Sequence, residues 1–187
     1  MPAIPELIQP LRDDEVEVRF AAERDIPEIL IAYQQDPSLH VRLGVARPPS
    51  GAELGRRMEH AADERASGSG VWLTILQSGG QDCCGQIDVH AIDLVHARAE
   101  LGMWITPAAR GRGLGRRALG LAARWLLTAC GLERVEIFTE PDNQAMIAAA
   151  RGAGFVSEGI LRAYTLERGT RVDNAVMSLI ESDLGLS

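Results

Sequence analysis

Residues 110 to 115 read Arg-Gly-Arg-Gly-Leu-Gly, between a strand-like apolar run, Glu100 to Thr106, and a long helical pattern that begins at Leu114. Few features restrict a fold more. Glycines at alternate positions let the backbone take positive φ and turn successive N–H groups toward one point. The helix start behind them adds orphan donors and a partial positive charge. Strand, anion-binding turn and helix in immediate succession predict an α/β protein with a phosphorylated ligand at the turn.

The spacing narrows the ligand. A Walker loop needs Lys followed by Ser or Thr, and this chain contains no lysine. A dinucleotide fingerprint can be laid on Gly113, Gly115 and Ala118 with Glu136 as the distant acid. It fits badly, because Pro107, Ala108, Ala109 and Arg110 separate strand from glycines and the motif lies past the chain's midpoint. A third pattern, Arg or Gln, two residues, Gly, one residue, then Gly or Ala, is met by Arg110, Gly113 and Gly115. It resembles the acyl-CoA pyrophosphate loop of the GNAT superfamily of N-acyltransferases. A plain glycine-rich surface turn has the same composition, so the flanks matter. Asn143 opens an alanine-rich helix that runs to Gly154-Phe155, as in that superfamily. The run from Phe155 to Arg162, with Glu158-Gly159 and Leu161-Arg162, looks like the RimJ/RimL-like branch, and Arg171-Val172-Asp173 is similar to the start of that branch's last strand. The resemblance spans about Val16 to Ser182.

The resemblance implies one GNAT-like acyltransferase domain over residues 1–187, with its core over about 16–182 and a short N-terminal extension, 1–15. Its fold would be α/β (mixed α+β): a central, mostly antiparallel seven-stranded sheet, flanked by about four helices and splayed between strands 4 and 5. Acetyl-CoA, the implied acyl donor, would lie in that opening. Backbone groups of Met103, Trp104 and Ile105 would bond the pantetheine and the thioester carbonyl. Arg110, Gly111, Arg112, Gly113, Leu114, Gly115 and Arg116 would hold the phosphates, and Asn143 would bond the pantetheine or fix the loop. Gly102 suits a bulge at the opening.

Attack of a neutral amine on a thioester needs a base, because an alkyl ammonium has a pKa near ~10. Superfamily members often carry a fourth-strand acid acting through water, and Glu100 occupies that place; His90 and Asp88 are further candidates. Glu100 also reads as an ordinary strand glutamate paired with Arg98. Two departures stand out. Ala150 and Met146 occupy positions where relatives carry a Tyr or Ser donor, which leaves Tyr164 as the phenol offered for that role. Arg116 and Arg117 replace the usual Thr-Glu pair. The functional reading is an N-acetyltransferase acting on a primary amine: a protein N-terminus, an amino acid or a small amine. A non-catalytic acyl-CoA sensor and an NAD-dependent oxidoreductase are the alternatives.

Composition agrees. At 187 residues and 46% apolar, the chain suffices for one domain with a sizeable core. No apolar run approaches the ~20 residues of a membrane span, and Met1 to Glu6 lack the basic start of a signal peptide. A cytoplasmic protein without membrane partners is expected. Its three cysteines, two adjacent at Cys83 and Cys84, form neither a disulfide framework nor a metal spacing. They read as half-buried strand residues, and Cys130 as core. Residues 1–97 carry 8 Arg against 16 acids, whereas residues 98–187 carry 11 against 10. The positive charge clusters from Arg98 to Arg134, around the loop, as a polyanionic ligand requires. A pI near 5.1 argues against nucleic acid, and the acidic first half favours a cationic acceptor. A homodimer is left open.

Patterning predicts a strand at Val16–Phe20 and a helix from an Asp25 cap to about Gln35. A polar helix follows Pro48-Pro49-Ser50-Gly51 and runs to about Ala66. Strands are expected at Val71–Gln77, Gly85–Ile92, Arg98–Ile105 and Arg134–Thr139. A stripe of Leu114, Ala118, Leu121, Ala122, Trp125, Leu126 and Ala129 marks a helix lying on the sheet. Strands at Phe155–Leu161 and Val172–Ile180 turn at about Arg168-Gly169.

Overall fold

A computed structural model describes residues 3–167 and 169–185; Met1, Pro2, Arg168, Leu186 and Ser187, and with them part of the expected last turn, lie outside the described residues. The chain forms β1 (Leu11–Arg12), β2 (Val16–Phe20), α1 (Ile26–Gln35), α2 (Leu39–Arg42) and α3 (Gly51–Ser67). It continues as β3 (Val71–Gln77), β4 (Cys83–Asp93), β5 (Arg98–Ile105), α4 (Leu114–Thr128), β6 (Arg134–Thr139), α5 (Gln144–Gly152), β7 (Val156–Glu167) and β8 (Thr170–Ile180). One sheet holds the strands in the order β1-β2-β3-β4-β5-β6-β8-β7. Every neighbouring pair is antiparallel except β5 and β6.

Both faces of the central strands are covered, so β3 reads as a nearly continuous apolar run. On one face lies α4, whose Leu114, Ala118, Leu119, Ala122, Trp125 and Leu126 are buried at helical spacing. The opposite face carries α1 and α3, with Ile29, Ala32, Leu39 and Leu54 packed on Cys83 and Trp104. Ser50 caps α3 reciprocally with Glu53, and Gly68 in the left-handed region ends it. Asp25 precedes α1 as expected, but its side chain does not cap that helix. The carboxylate turns to the sheet instead, accepting from both Arg19 terminal nitrogens at 2.9 and 2.6 Å and from Thr74 Oγ1 at 2.6 Å. A buried acid takes its charge partner in preference to a cap that water can replace.

The sheet has eight strands rather than seven. The addition, β1, lies within the expected N-terminal extension, where a two-residue strand leaves no periodicity to read. That segment packs closely: Ala3 N–H donates to the Cys130 carbonyl at 3.0 Å, and Ile4, Leu7 and Leu11 rest on the main core. A fifth α-helix, the single turn α2, was likewise too short to leave a pattern. The expected bulge at Gly102 is absent, since Gly102 faces Asp88 in regular register. The register shift comes later, between His90 and Asp93, beside Ala91 with φ 47°. No helix among the described residues is long and apolar enough to cross a membrane.

The parallel pairing of β5 with β6 is brief: Arg98 with Arg134, Ala99 with Val135, Glu100 with Glu136. Past that point β5 keeps β4 on one side and, among the described residues, has no strand partner on the other. Alternate N–H and C=O groups between Leu101 and Ile105 therefore point into an opening. This is the expected splay, displaced by one in strand number because of β1.

Candidate active site

The opening widens into a cleft of about 650 Å³. Met103, Trp104 and Ile105 of β5 form its floor, the loop residues Arg110, Gly111 and Gly113 with Leu114, Gly115 and Arg116 form one wall, and Asn143 and Met146 form another. Leu39, Arg42 and Leu43, at and just past α2, close it from above. Tertiary folding thus brings together the expected cofactor residues except Arg112. That side chain turns away to Gln77 Oε1 at 2.7 Å and borders a separate hollow beneath the turn between β3 and β4.

The loop glycines serve different ends. Gly111 and Gly113 have φ of 73° and 77°, and Gly113 is the N-cap of α4. Both conformations disfavour side chains and aim N–H groups outward. Gly115 serves packing: a Cβ there would stand 3.0 Å from Met103 Cε and 3.3 Å from Ile105 Cγ1, so both side chains would have to give way. Its absence lets the start of α4 press against β5.

Most of the local positive charge is already committed. Arg117 reaches Asp13 and Glu15, each at 2.9 Å, and Arg110 pairs with Asp36 while donating from Nε to the Ile105 carbonyl at 3.1 Å. Arg116 has no side-chain hydrogen bond or ion pair among the described residues, and it lines the cleft. It lies across Gly152 of α5, where a Cβ would come within 2.5 Å of Arg116 Cδ. Gly152→Ala should therefore displace Arg116. Helix propensity favours Ala by up to ~1 kcal/mol, so melting temperature is expected to hold while affinity for CoA falls several-fold by calorimetry. Unchanged affinity would remove Arg116 from the phosphate site.

Asn143 is the N-cap of α5. Its Oδ1 accepts from Met146 N–H at 3.2 Å and its Nδ2 donates to Thr139 Oγ1 at 2.9 Å, so the amide fixes the cleft wall.

Glu100, Gly102 and Trp104 alternate onto the face of β5 covered by α1 and α3, and the register sets His90 opposite Glu100 and Asp88 opposite Gly102. Glu100 sits where the pairing with β6 ends. It forms no ion pair with Arg98 among the described residues; Arg98 Nε lies 3.7 Å from Asp93 instead. Burial raises the Glu100 pKa, Glu136 adds to the rise, and His90 and Arg98 oppose it. Asp88 is also raised, by burial first and by Glu64, against His90 and Arg57. The His90 ring bonds the Glu100 backbone through Nδ1, 3.2 Å from the carbonyl oxygen, rather than the carboxylate.

Tyr164 does not line the cleft. Its ring stacks on Phe138 at 5.4 Å and stays half exposed on the edge strand β7. A phenol that no sequence pattern signalled, Tyr33 of α1, tilts against Trp104 at 6.4 Å, and burial raises its pKa. Burial pushes the thiols of Cys83 and Cys130 up to about 12, which makes both poor nucleophiles.

A mixed sheet that opens beside a glycine-rich helix start, with a half-buried acid where the pairing ends, is the arrangement expected of an acyltransferase fold. The chain belongs to the GNAT acetyltransferase family: residues 15–156 match the family described as Acetyltransferase (GNAT) domain. It is an acetyltransferase of that family, and its curated relatives are named N-acetyltransferases. Among curated relatives, Uncharacterized N-acetyltransferase YoaA of Bacillus subtilis (strain 168) is 31% identical over 112 residues, 60% of this chain and 63% of YoaA. Spermidine N(1)-acetyltransferase of Escherichia coli (strain K12) is 34% identical over 77 residues, 41% of each chain. Among solved structures, Mycobacterium smegmatis RimJ in complex with CoA-disulfide superposes with a TM-score of 0.83 at 22% identity, covering 100% of this chain and 92% of that one.

Proposed function

We propose that the protein transfers the acetyl group of acetyl-CoA to a primary amine by direct attack within a ternary complex. The observation that carries this reading is the fork in the sheet past Glu100, where unpaired β5 backbone and the glycine loop line one cleft; the half-buried Glu100 carboxylate stands where the pairing ends and is not among the residues that line that cleft. In this reading the N–H groups of the loop and of the start of α4 hold the donor's phosphates. Glu100 takes the proton of the acceptor ammonium through water. The amine nitrogen then bonds the thioester carbon, β5 N–H groups hold the oxyanion, and the C–S bond breaks. The thiolate leaves and takes a proton from solvent, because Met146 and Ala150 offer no hydroxyl, while the nitrogen of the new amide releases its second proton to solvent.

The acceptor is a primary amine, with protein N-termini, amino acids and small polyamines as the classes to compare. A relative's name points to spermidine, and the acids Asp88 and Glu100 beside the fork suit any ammonium. A single domain acting in the cytoplasm goes with this cofactor. The test combines two measurements. CoA, but not NAD, should raise the melting temperature, and acetyl-CoA with a panel of amines should release free thiol. Stabilisation by NAD alone would overturn the assignment, whereas stabilisation by CoA without thiol release across the panel would mark a sensor.

A further inference from the structure

The segment after α1 carries a cluster that the mechanism leaves unused. Asp36 is 8% exposed, and its carboxylate accepts from Arg42, from Arg110 and from Ser38 Oγ at 2.7 Å. Arg42 Nη1 also donates to Ser38 Oγ at 2.8 Å. The two arginine side chains remain 46% and 45% exposed, whereas that of Asp36 is 10% exposed. A nearly buried anion thus presents two half-exposed guanidiniums, and both line the cleft. One carboxylate cannot neutralise two guanidiniums, so the trio of Asp36, Arg42 and Arg110 carries net positive charge, with Glu140 a further acid whose field reaches Arg42. Each guanidinium has five N–H donors, and the bonds described use two on each. The remainder are free for a ligand.

We propose that Arg42 is a phosphate-binding residue of the acyl-CoA cleft, and that Asp36 is the positioning residue that holds Arg42 and Arg110 in place for it. This rests on the acyl-CoA reading above. Arg42 comes from α2 and meets Arg110 of the loop on one Asp36 oxygen, so it extends the cationic edge of the loop along the cleft. Asp36 fixes both side chains before the ligand arrives, which lowers the ordering cost of binding. Its carboxylate stays ionised over the working range, because Arg110 holds it far below the usual carboxylate value, against the opposing effect of burial and with help from Ser38 and Arg42. The same cluster ties the α1–α2 segment, which covers the Trp104 face, to the loop that grips the donor.

The test compares CoA with pantetheine, the same ligand without its phosphates, by calorimetry on the full chain. Arg42→Met is expected to weaken CoA about tenfold or more, as loss of a charge-assisted hydrogen bond does, and to flatten the salt dependence of CoA binding. Pantetheine affinity should not change. Asp36→Asn should give a smaller loss in the same direction, and the double variant should lose less than the sum of the two. Equal losses for CoA and pantetheine, or strict additivity, would overturn the proposal. If Asp36→Asn does not fold, the half-exposed Arg42 carries the test alone. Wild-type protein that binds no CoA would sink the acyl-CoA reading itself; tight wild-type binding with an unaffected Arg42→Met sinks only this inference.

Discussion

Gly113→Asp is expected to abolish CoA binding while leaving the fold intact. At φ 77° an L-residue costs about 1–2 kcal/mol, a loss that a domain with ordinary stability of about 5–15 kcal/mol survives. No heavy atom outside its chain neighbours lies within 4 Å of a Cβ built there, so packing does not oppose the change. The effect is electrostatic and steric at the ligand. A carboxylate at the N-cap of α4 would accept the N–H groups that hold the phosphates and would repel their charge. Gly113→Ala separates the causes, because it carries the same backbone strain without the charge and should lose much less affinity. Calorimetry with CoA, alongside melting curves, decides it. Undiminished affinity in the Asp variant would remove the loop from the cofactor site.

The second large effect is at Glu100. Glu100→Gln should lower turnover ~10²-fold or more near neutral pH, leave CoA affinity nearly unchanged, and recover as pH rises and free amine accumulates. The raised pKa makes the wild-type carboxylate a stronger base than an exposed one. It also sets a stability signature. Below the unfolded pKa both states are protonated and nothing is lost. As pH rises past it, the unfolded chain ionises first, so the wild type loses stability until the folded pKa is passed. Gln has no such penalty, and the variant should be at least as stable as wild type at neutral pH. A variant with the wild-type rate and pH profile would shift the base to Asp88, His90 or solvent. A variant that melts early would mark Glu100 as structural. Neither Met146 nor Ala150 can supply an acid, so no descending alkaline limb is expected below about pH 9.

Local chemistry is what a linear reading detects. The alternation of Val16 to Phe20, the break at Pro48 to Gly51, the apolar stripe of α4 and the glycine spacing from Gly111 to Gly115 are each complete within a few turns or a few residues. Their structures follow from φ restrictions, helix period and strand alternation. The places that departed from expectation lack such a signal. Two residues of β1 and one turn of α2 are too short to show a period, and the Gly102 position is regular because Asp88 faces it without crowding.

What the sequence by itself determined was the order of the longer elements, the glycine turn before α4 and the acid four residues before Trp104. Tertiary structure alone decided which charges remain for a ligand. Arg117 is taken by Asp13, 104 residues away, and Arg110 shares Asp36, 74 residues away, with Arg42, whereas Arg116 is left on the cleft wall by the bare Cα of Gly152. Ion pairing depends on distance in space and on burial, neither of which is carried by spacing along the chain. For the same reason the cleft acquired Arg42 and Leu43, from a segment whose residues give no sign of meeting the loop until α1 folds across the sheet.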